Sequence, residues 1–331
     1  MNSAAIDVVG IGNAIVDVIA RADERFLDAE GFTKGAMTLI DDGRADALYQ
    51  KMGAGIESSG GSAGNTMAGI ASLGGRGAYI GKVRDDLLGD VFRHDMTAMG
   101  VTFDTPAAAA GAGTARCLIL VTGDGQRTMC TYLGACVDLG PEDIDTVVIG
   151  SAKITYLEGY LFDPPRAQAA FRAAAAAAHQ AGRQVALSLS DPFCVGRHRD
   201  AFRQLVAGDI DILFANEAEI CSLYETKDFD QAAAAVRGDV AVAALTRSAE
   251  GSVIVAGRDT HKVAAAPVAR VVDTTGAGDL YAAGFLYGLT QGLPLPKCGA
   301  IGSVCAAEII SHVGARPEAA LHELVAAAGV I

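Results

Sequence analysis

Nowhere in this chain does an uncharged apolar run reach the roughly 18 residues that a membrane-spanning helix needs. No basic patch stands out either. The densest cationic clustering, Arg197 and Arg199 around His198, is short, and 26 Lys and Arg against 39 Asp and Glu leave a net charge of −13. Nucleic acid and anionic membranes would repel such a chain, so neither is expected as a partner. No Cys-x-x-Cys pair occurs, the seven cysteines are scattered, and the six histidines show no metal-ligand spacing with them. The cysteines read as small core residues in a reducing compartment. The N-terminus has no basic stretch, and Asp7 and Asp17 interrupt its apolar residues, so no signal peptide is read and a cytoplasmic location is expected. Two nucleotide signatures are also missing. There is no Gly-x-x-x-x-Gly-Lys-Ser/Thr loop, and GIGNAI (10–15) puts Ile15 where a dinucleotide fingerprint needs its third glycine.

What is present suits a large α/β domain, since 331 residues at 51% hydrophobic content can bury a substantial core. From residue 154 onward strands and helices alternate. ITYLEG (154–159), QVALSLS (184–190), DIDILFAN (209–216) and VAVAALT (240–246) read as strands, with an Ala-rich helix over 164–182 and a further helix from Glu217. Short strands follow near 252–256 and 260–265, then helices near 278–291, 295–311 and 317–328. This alternation predicts a mostly parallel sheet with helices on both faces. The first third breaks the pattern. Residues 5–21 read as a core strand running on into an edge segment, and Asp124-Gly125 marks a hairpin between two β-rich runs. These stretches are read as a small β-sheet lid, inserted as roughly 14–42 and 102–136.

Two glycine-bearing segments carry the chemistry. In DTTGAGD (273–279), Gly276, Ala277 and Gly278 lead into a helix, so converging backbone amides and the helix's positive end make a site for a phosphoryl group. Asp279 sits in the first turn, where the dipole favours its carboxylate. It can accept a proton from a hydroxyl while the amides hold the charge on a transferred phosphoryl. A plain loop with an acidic first turn would read the same way. In GGSAGNT (60–66), Gly60 and Gly61 allow either a hinge or a close approach to a ligand, and Asn65 can donate to and accept from sugar hydroxyls. A glycine-rich link into a buried helix is the bland alternative.

GGSAGNT followed about two hundred residues later by DTTGAGD resembles the paired signatures of the ribokinase/PfkB family of carbohydrate and nucleoside kinases. The resemblance implies a ribokinase-like three-layer sandwich over residues 1–331 with a small β lid, and ATP and Mg²⁺ as requirements. NEAE (216–219) is similar to the family's Asn-x-x-Glu, which implies that Asn216 and Glu219 arrange magnesium and the phosphates, Glu219 through water. TRSAEG (246–251) matches the family's Thr-x-Gly-x-x-Gly in Thr246 and Gly251, with Ser248 where a glycine is usual. The resemblance also implies a possible K⁺ site at Asp273, Thr275 and Gly314.

Within the family, GNAIVD (12–17) and GQRTMCTYLGA (125–135) are similar to the adenosine kinases, which implies substrate contacts from Asn13, Asp17, Gly61, Ser62, Asn65, Arg127 and Leu133. Asp17 lies between Val16 and Val18, an expensive place for a charge unless a ligand pairs with it. It could instead be an outward-facing strand residue. Arg127 is expected to reach toward the phosphoryl group, and Tyr160 or Phe162 to offer a flat surface for a purine, though either could be a core aromatic. The expected activity is ATP-dependent phosphorylation of the adenosine 5′-hydroxyl, by a monomer or homodimer. The alternatives are a kinase for another nucleoside or a free sugar, and a non-catalytic nucleoside-binding protein, for which an acid at Asp279 would have little use.

Overall fold

The apolar stretch that opens the chain is two strands belonging to two different sheets. A computed structural model describes residues 5–331 and breaks this stretch at Gly12, Asn13 and Ala14. In chain order the strands are β1 (Ile6–Ile11), β2 (Ile15–Arg21), β3 (Met37–Leu39), β4 (Gly55–Ser59), β5 (Gly77–Ile80), β6 (Ala115–Val121), β7 (Arg127–Tyr132), β8 (Ala152–Glu158), β9 (Gln184–Ser188), β10 (Ile212–Asn216), β11 (Val242–Thr246), β12 (Ser252–Ala256) and β13 (Asp259–Val263). β1 lies between β5 and β8, and Val8, Val9 and Ile11 are wholly buried, as a strand covered on both faces requires. β2 instead alternates buried and half-buried residues. It was expected at an edge, yet it pairs with β4 on one side and β6 on the other, so it is an interior strand of the second sheet.

The main sheet runs β13-β12-β11-β10-β9-β8-β1-β5, parallel from β5 to β11 and antiparallel beyond. Successive side chains go to opposite faces. Val8, Tyr156, Phe214 and Ile254 join one core with Met67, Phe285 and Ile301, while Val9, Leu157, Leu213 and Val255 join another with Phe171, Phe202 and Ile220. Helices therefore cover both faces, and the molecule is the expected three-layer sandwich. The Ala-rich segment forms the helix Pro165–Gln180. It buries Ala167, Ala170, Phe171, Ala174, Ala175 and Ala178 at helical spacing. All seven cysteines are unpaired and only Cys221 is not buried. Among the described residues no helix is long and apolar enough to cross a membrane.

The second sheet runs β3-β7-β6-β2-β4. β6 and β7 form the hairpin expected at Asp124-Gly125, with Gly125 at φ 82°. The lid boundaries differ from expectation. β4 (GIESS) joins the sheet although it has no apolar alternation to betray it, and residues 102–114 hold to the main body through bridges Ala78–Thr102 and Arg84–Ala108. One face of the sheet puts Val16, Val18, Leu118 and Leu120 against Leu27, Ala45 and Leu48. The opposite face carries Asp17, paired in register with Ser58 and Cys117.

The helices Ala277–Thr290 and Leu295–Ile309 approach closely because glycines meet between them. A Cβ at Gly284 would lie 2.7 Å from both the Cα and the N of Gly302. Backbone cannot swing aside as a side chain can, so Gly284→Ala is expected to destabilise the fold by about 1–3 kcal/mol. The midpoint of urea unfolding measures this, and an unchanged midpoint would refute the close approach.

Candidate active site

The C-terminal ends of the parallel strands of the main sheet lie along one edge, where ligands of open α/β sheets bind. β1 delivers Asn13 there, β8 delivers Glu158, β10 delivers Asn216 and β11 delivers Thr246. The helix Ala277–Thr290 begins beside them with Asp279 in its first turn. Its N-cap Gly276 has φ 79°, and a Cβ there would press on Ala315 at 3.1 Å. The three-amide anion site expected at 276–278 needs a correction. Ala277 N–H donates to Thr274 O at 3.2 Å, which closes a turn. The amides of Gly276 and Gly278 have no acceptor among the described residues, and the space around Gly278 is open.

Asp279 is where the two glycine-bearing segments meet. Ser62 Oγ donates to its Oδ1 at 2.6 Å, and Asn65 Nδ2 donates to its Oδ2 at 2.9 Å. Burial raises its pKa and these two donors oppose the rise. The helix dipole alone suggested a carboxylate made more acidic; desolvation prevails, and the group is a better proton acceptor for it. Ser62 and Asn65 reach Asp279 because the preceding backbone runs tight against the first segment. Gly61 has φ 80°, and a Cβ on it would collide with Asn13 O, while a Cβ on Gly60 would collide with the carboxylate of Asp17. Gly60 N–H also donates to Ile15 O at 2.7 Å. Of the two uses open to the glycines, close approach is the one seen, and what approaches is the chain itself.

Asp17 is half-buried on the inner face of β2, with no hydrogen-bond partner among the described residues. Burial pushes its carboxyl up to about 6, opposed by Arg316 and Arg127 and reinforced by Asp279. Asn65 Oδ1 is likewise buried and without a partner. Asn13 turns both its amide and its side-chain NH₂ toward Glu158, at 3.3 and 2.7 Å. Glu158, which sequence reasoning missed, also accepts from Ala63 N–H at 2.8 Å, and burial pushes it up to about 7. Its position at the end of an apolar strand was the available signal.

Arg127, expected to reach toward the phosphoryl group, lies beside Asp273. Its Nε lies 3.0 Å from Asp273 Oδ2, and Nε and Nη2 have no hydrogen-bond acceptor. Asp273 Oδ1 accepts from Thr275 N–H and Oγ1–H at 3.0 and 2.7 Å, and Oδ2 accepts from Gly314 N–H at 3.1 Å. The Asp273 carboxylate, expected beside a possible K⁺, thus has donors on both oxygens and a guanidinium alongside. Asn216 and Glu219 form a capping box: Glu219 N–H donates to Asn216 Oδ1, and both Asn216 nitrogens donate back to the Glu219 carboxylate. Burial pushes Glu219 up to about 7, with the charges of Asp191 and Asp279 adding to the rise. Asp191 was another residue that sequence reasoning missed. A groove of about 1040 Å³ runs past Asn216, Glu217, Thr246, Arg247 and Ser248.

Of the two candidate aromatics, Phe162 is a core residue, with its ring centroid 4.3 Å from that of Phe202. Tyr160 is 44% exposed, and the charges of Asp191, Asp279, Glu219 and Glu158 reach it. Leu133 is half-buried at the start of the short 3₁₀ turn Gly134–Asp138. Arg316, also missed, is half-buried and bonded to Ser59 and Gly64; a lone arginine in GARPEA gives no signal.

The pfkB family of carbohydrate kinases matches this chain over residues 7–320. The chain belongs to that family. It is a phosphotransferase acting on a hydroxyl group. The structure of a Sinorhizobium meliloti adenosine kinase is similar at 53% identity and TM-score 0.90, covering 98% of this chain and 99% of that one. A probable sugar kinase from Rhizobium etli CFN 42 is similar at 51% identity and TM-score 0.91, with the same coverage. An ATP-dependent ribose-1-phosphate kinase of Halopiger xanaduensis is 32% identical over 83% of this chain and 86% of its own.

Ser248, where the family motif has glycine, keeps a glycine-like backbone at φ 50°. A side chain there carries about 1–2 kcal/mol of strain. Ser248→Gly is therefore expected to hold stability or raise it by up to about 1 kcal/mol, and Ser248→Val to lower it by about 1–2 kcal/mol. Thermal unfolding of this kinase and the two variants reads the difference. A Val variant as stable as the parent would contradict the left-handed conformation.

Proposed function

We propose that this kinase transfers the γ-phosphoryl group of ATP to the 5′-hydroxyl of adenosine, giving AMP and ADP. The observation that carries this reading is a half-buried Asp17 carboxylate that no described protein group donates to, together with the unmet Asn65 Oδ1 and a desolvated base at Asp279. Both acceptors call for hydrogen-bond donors, and the two hydroxyls of a ribose diol suit the Asp17 carboxylate. The 53% identity to a Sinorhizobium meliloti adenosine kinase supports adenosine among ribose-bearing acceptors. The likeness to a probable sugar kinase and to a ribose-1-phosphate kinase supports a second reading, a free or phosphorylated sugar at the same place.

In this reading Asp17 and Asn65 hold the ribose, and the 5′-hydroxyl displaces Ser62 from Asp279. Asp279 takes the hydroxyl proton as the oxygen attacks phosphorus. The amides of Gly276 and Gly278 and the positive helix end hold the charge that develops on the phosphoryl oxygens. Asn216, Thr246 and Gly251 border the phosphate path, and Tyr160 stands exposed at the mouth. Magnesium, when bound with ATP, neutralises phosphate charge. Glu219 suits an outer role toward it through water, because its oxygens already accept from Asn216 while acidic neighbours surround it.

An ADP-release assay across adenosine, inosine, guanosine, ribose, ribose 1-phosphate and fructose tests the acceptor. Adenosine is expected to give the highest kcat/KM, and a clear preference for a free sugar would replace it. Asp279→Asn is expected to lower kcat by about a hundredfold to ten-thousandfold with ATP binding retained. Turnover within tenfold of the parent would remove Asp279 from the chemistry.

Asp17→Ala should raise the KM for adenosine by about a hundredfold or more and leave that for ATP nearly unchanged, because two charge-assisted hydrogen bonds are lost. Asp17 also sets a pH dependence. Its ionised form binds the diol, so kcat/KM for adenosine should hold above pH 6 and fall as pH drops through about 6, where Asp17 takes up a proton. A flat profile down to pH 5 would rule out an ionised Asp17 as the diol partner.

A further inference from the structure

The turn between the helices Leu295–Ile309 and Leu321–Ala327 places three consecutive residues on three parts of the active site. Gly314 N–H donates to Asp273 at the head of the anion-site loop. The next residue, Ala315, lies against Gly276. Arg316 then reaches across to the acceptor side. Its Nε and Nη2 donate to Ser59 O at 3.0 and 2.7 Å, Nη2 also donates to Ser59 Oγ at 3.0 Å, and Nη1 donates to Gly64 O. These bonds bracket the turn that holds Gly60, Gly61 and Ser62. The 314–316 stretch is itself braced, since Glu308 Oε1 accepts from Glu318 N–H and Ala319 N–H at 2.9 and 3.0 Å and pairs with His312.

We propose that Arg316 is the positioning residue of the acceptor side: its guanidinium fixes the 59–64 turn and serves as the shared counter-charge of Asp17 and Asp279. The proposal rests on the reading of Asp17 as the diol partner and Asp279 as the base. A fork that spends its donors on Ser59 and Gly64 keeps its full charge, so holding the turn and opposing the carboxylates are compatible. Burial lowers the Arg316 pKa to about 10, which leaves it a cation at neutral pH. The turn it holds lies against both carboxylates, Gly60 beside that of Asp17 and Ser62 bonded to that of Asp279, and its charge lowers the pKa of both.

The other charged and titratable groups around this centre are identifiable. Asp95 and Tyr79 face Arg316, and Asp95 Oδ2 also accepts from Ser59 N–H at 2.8 Å. Arg127 and Cys117 face Asp17. Tyr156, Glu158, Tyr160 and Glu219 lie within reach of Asp279. Arg127 is already paired with Asp273, so Arg316 is the cation whose loss both carboxylates would register.

Arg316→Lys and Arg316→Gln separate the two tasks. Lys keeps the charge and loses the fork, whereas Gln keeps a donor and loses the charge. Amide hydrogen exchange over 59–66 reads the turn without any substrate. The acid limb of kcat/KM, taken with whichever acceptor the ADP-release panel selects, reads the charge. Exchange is expected to quicken about tenfold or more in both variants. The acid limb should move up by about one pH unit in Arg316→Gln, because an unopposed neighbour raises a carboxyl pKa, and stay within a few tenths of the parent in Arg316→Lys.

Exchange as slow as in the parent, or an unmoved limb in a folded Arg316→Gln protein, overturns the proposal. Should only the Lys variant fold, faster exchange with an unmoved limb supports the proposal, and any other pattern overturns it. If neither folds, the role is purely structural and the proposal fails. A wrong acceptor or base would show in the substrate panel and in Asp279→Asn while leaving the exchange result intact.

Discussion

Four carboxylates converge, Glu158, Glu219 and Asp279 at one edge of the main sheet and Asp17 on the second sheet, and burial pushes the pKa of each upward. Their mutual repulsion and desolvation are the constraint to which the surrounding structure answers. Each acid is met differently. Glu158 is satisfied by three N–H groups from Asn13 and Ala63, Glu219 by the backbone and side chain of Asn216, and Asp279 by Ser62 and Asn65. Asp17 alone among them has no donor, only the nearby charges of Arg316 and Arg127. An acid left in that condition is stabilised most by whatever brings hydrogen-bond donors to it.

The same economy explains why glycine recurs here. Satisfying a buried carboxylate with backbone amides requires the backbone to come closer than a Cβ permits. Gly12 leaves room for Glu158, Gly60 for Asp17, and Gly61 for the carbonyl of Asn13. These contacts join residues far apart in sequence: Ser62 and Asp279 are separated by 217 positions. The site therefore exists only when both ends of the chain are folded against each other. That dependence ties the geometry around Asp279 to the packing of the helix Ser62–Ser72 on the helix Ala277–Thr290, where a Cβ on Gly69 would press on Ala283 at 2.6 Å.

Much of this was legible in advance, for reasons that differ from element to element. The parallel sheet and its helices declared themselves because period-two and period-3.6 apolar patterns persist over many residues. Asp279, Ser62 and Asn65 stood out through the resemblance of GGSAGNT and DTTGAGD to a paired family signature, since glycine before a polar first turn also occurs in plain loops. β4 was hidden because GIESS has no apolar alternation, and it is held by pairing with β2 rather than by its own preference. Phe162 and Tyr160 could not be told apart two residues from each other, since only the packing of Phe162 against Phe171 and Phe202 sends one ring inward and leaves the other out.

The amino-acid order by itself determined the three-layer architecture, the hairpin at Asp124-Gly125, and the two glycine-bearing segments that meet at Asp279. It did so because local periodicity and backbone permissiveness are written in neighbouring residues. Only the tertiary structure decided which groups are spent on one another. Arg127 is taken by Asp273, Asn13 by Glu158, and Ala277 N–H by Thr274, while Asp17 and Asn65 Oδ1 are left wanting. A side chain's availability depends on burial and on partners brought from elsewhere in the chain. Charge and desolvation act through space, so no run of sequence around Arg316 could announce its bonds to Ser59 and Gly64.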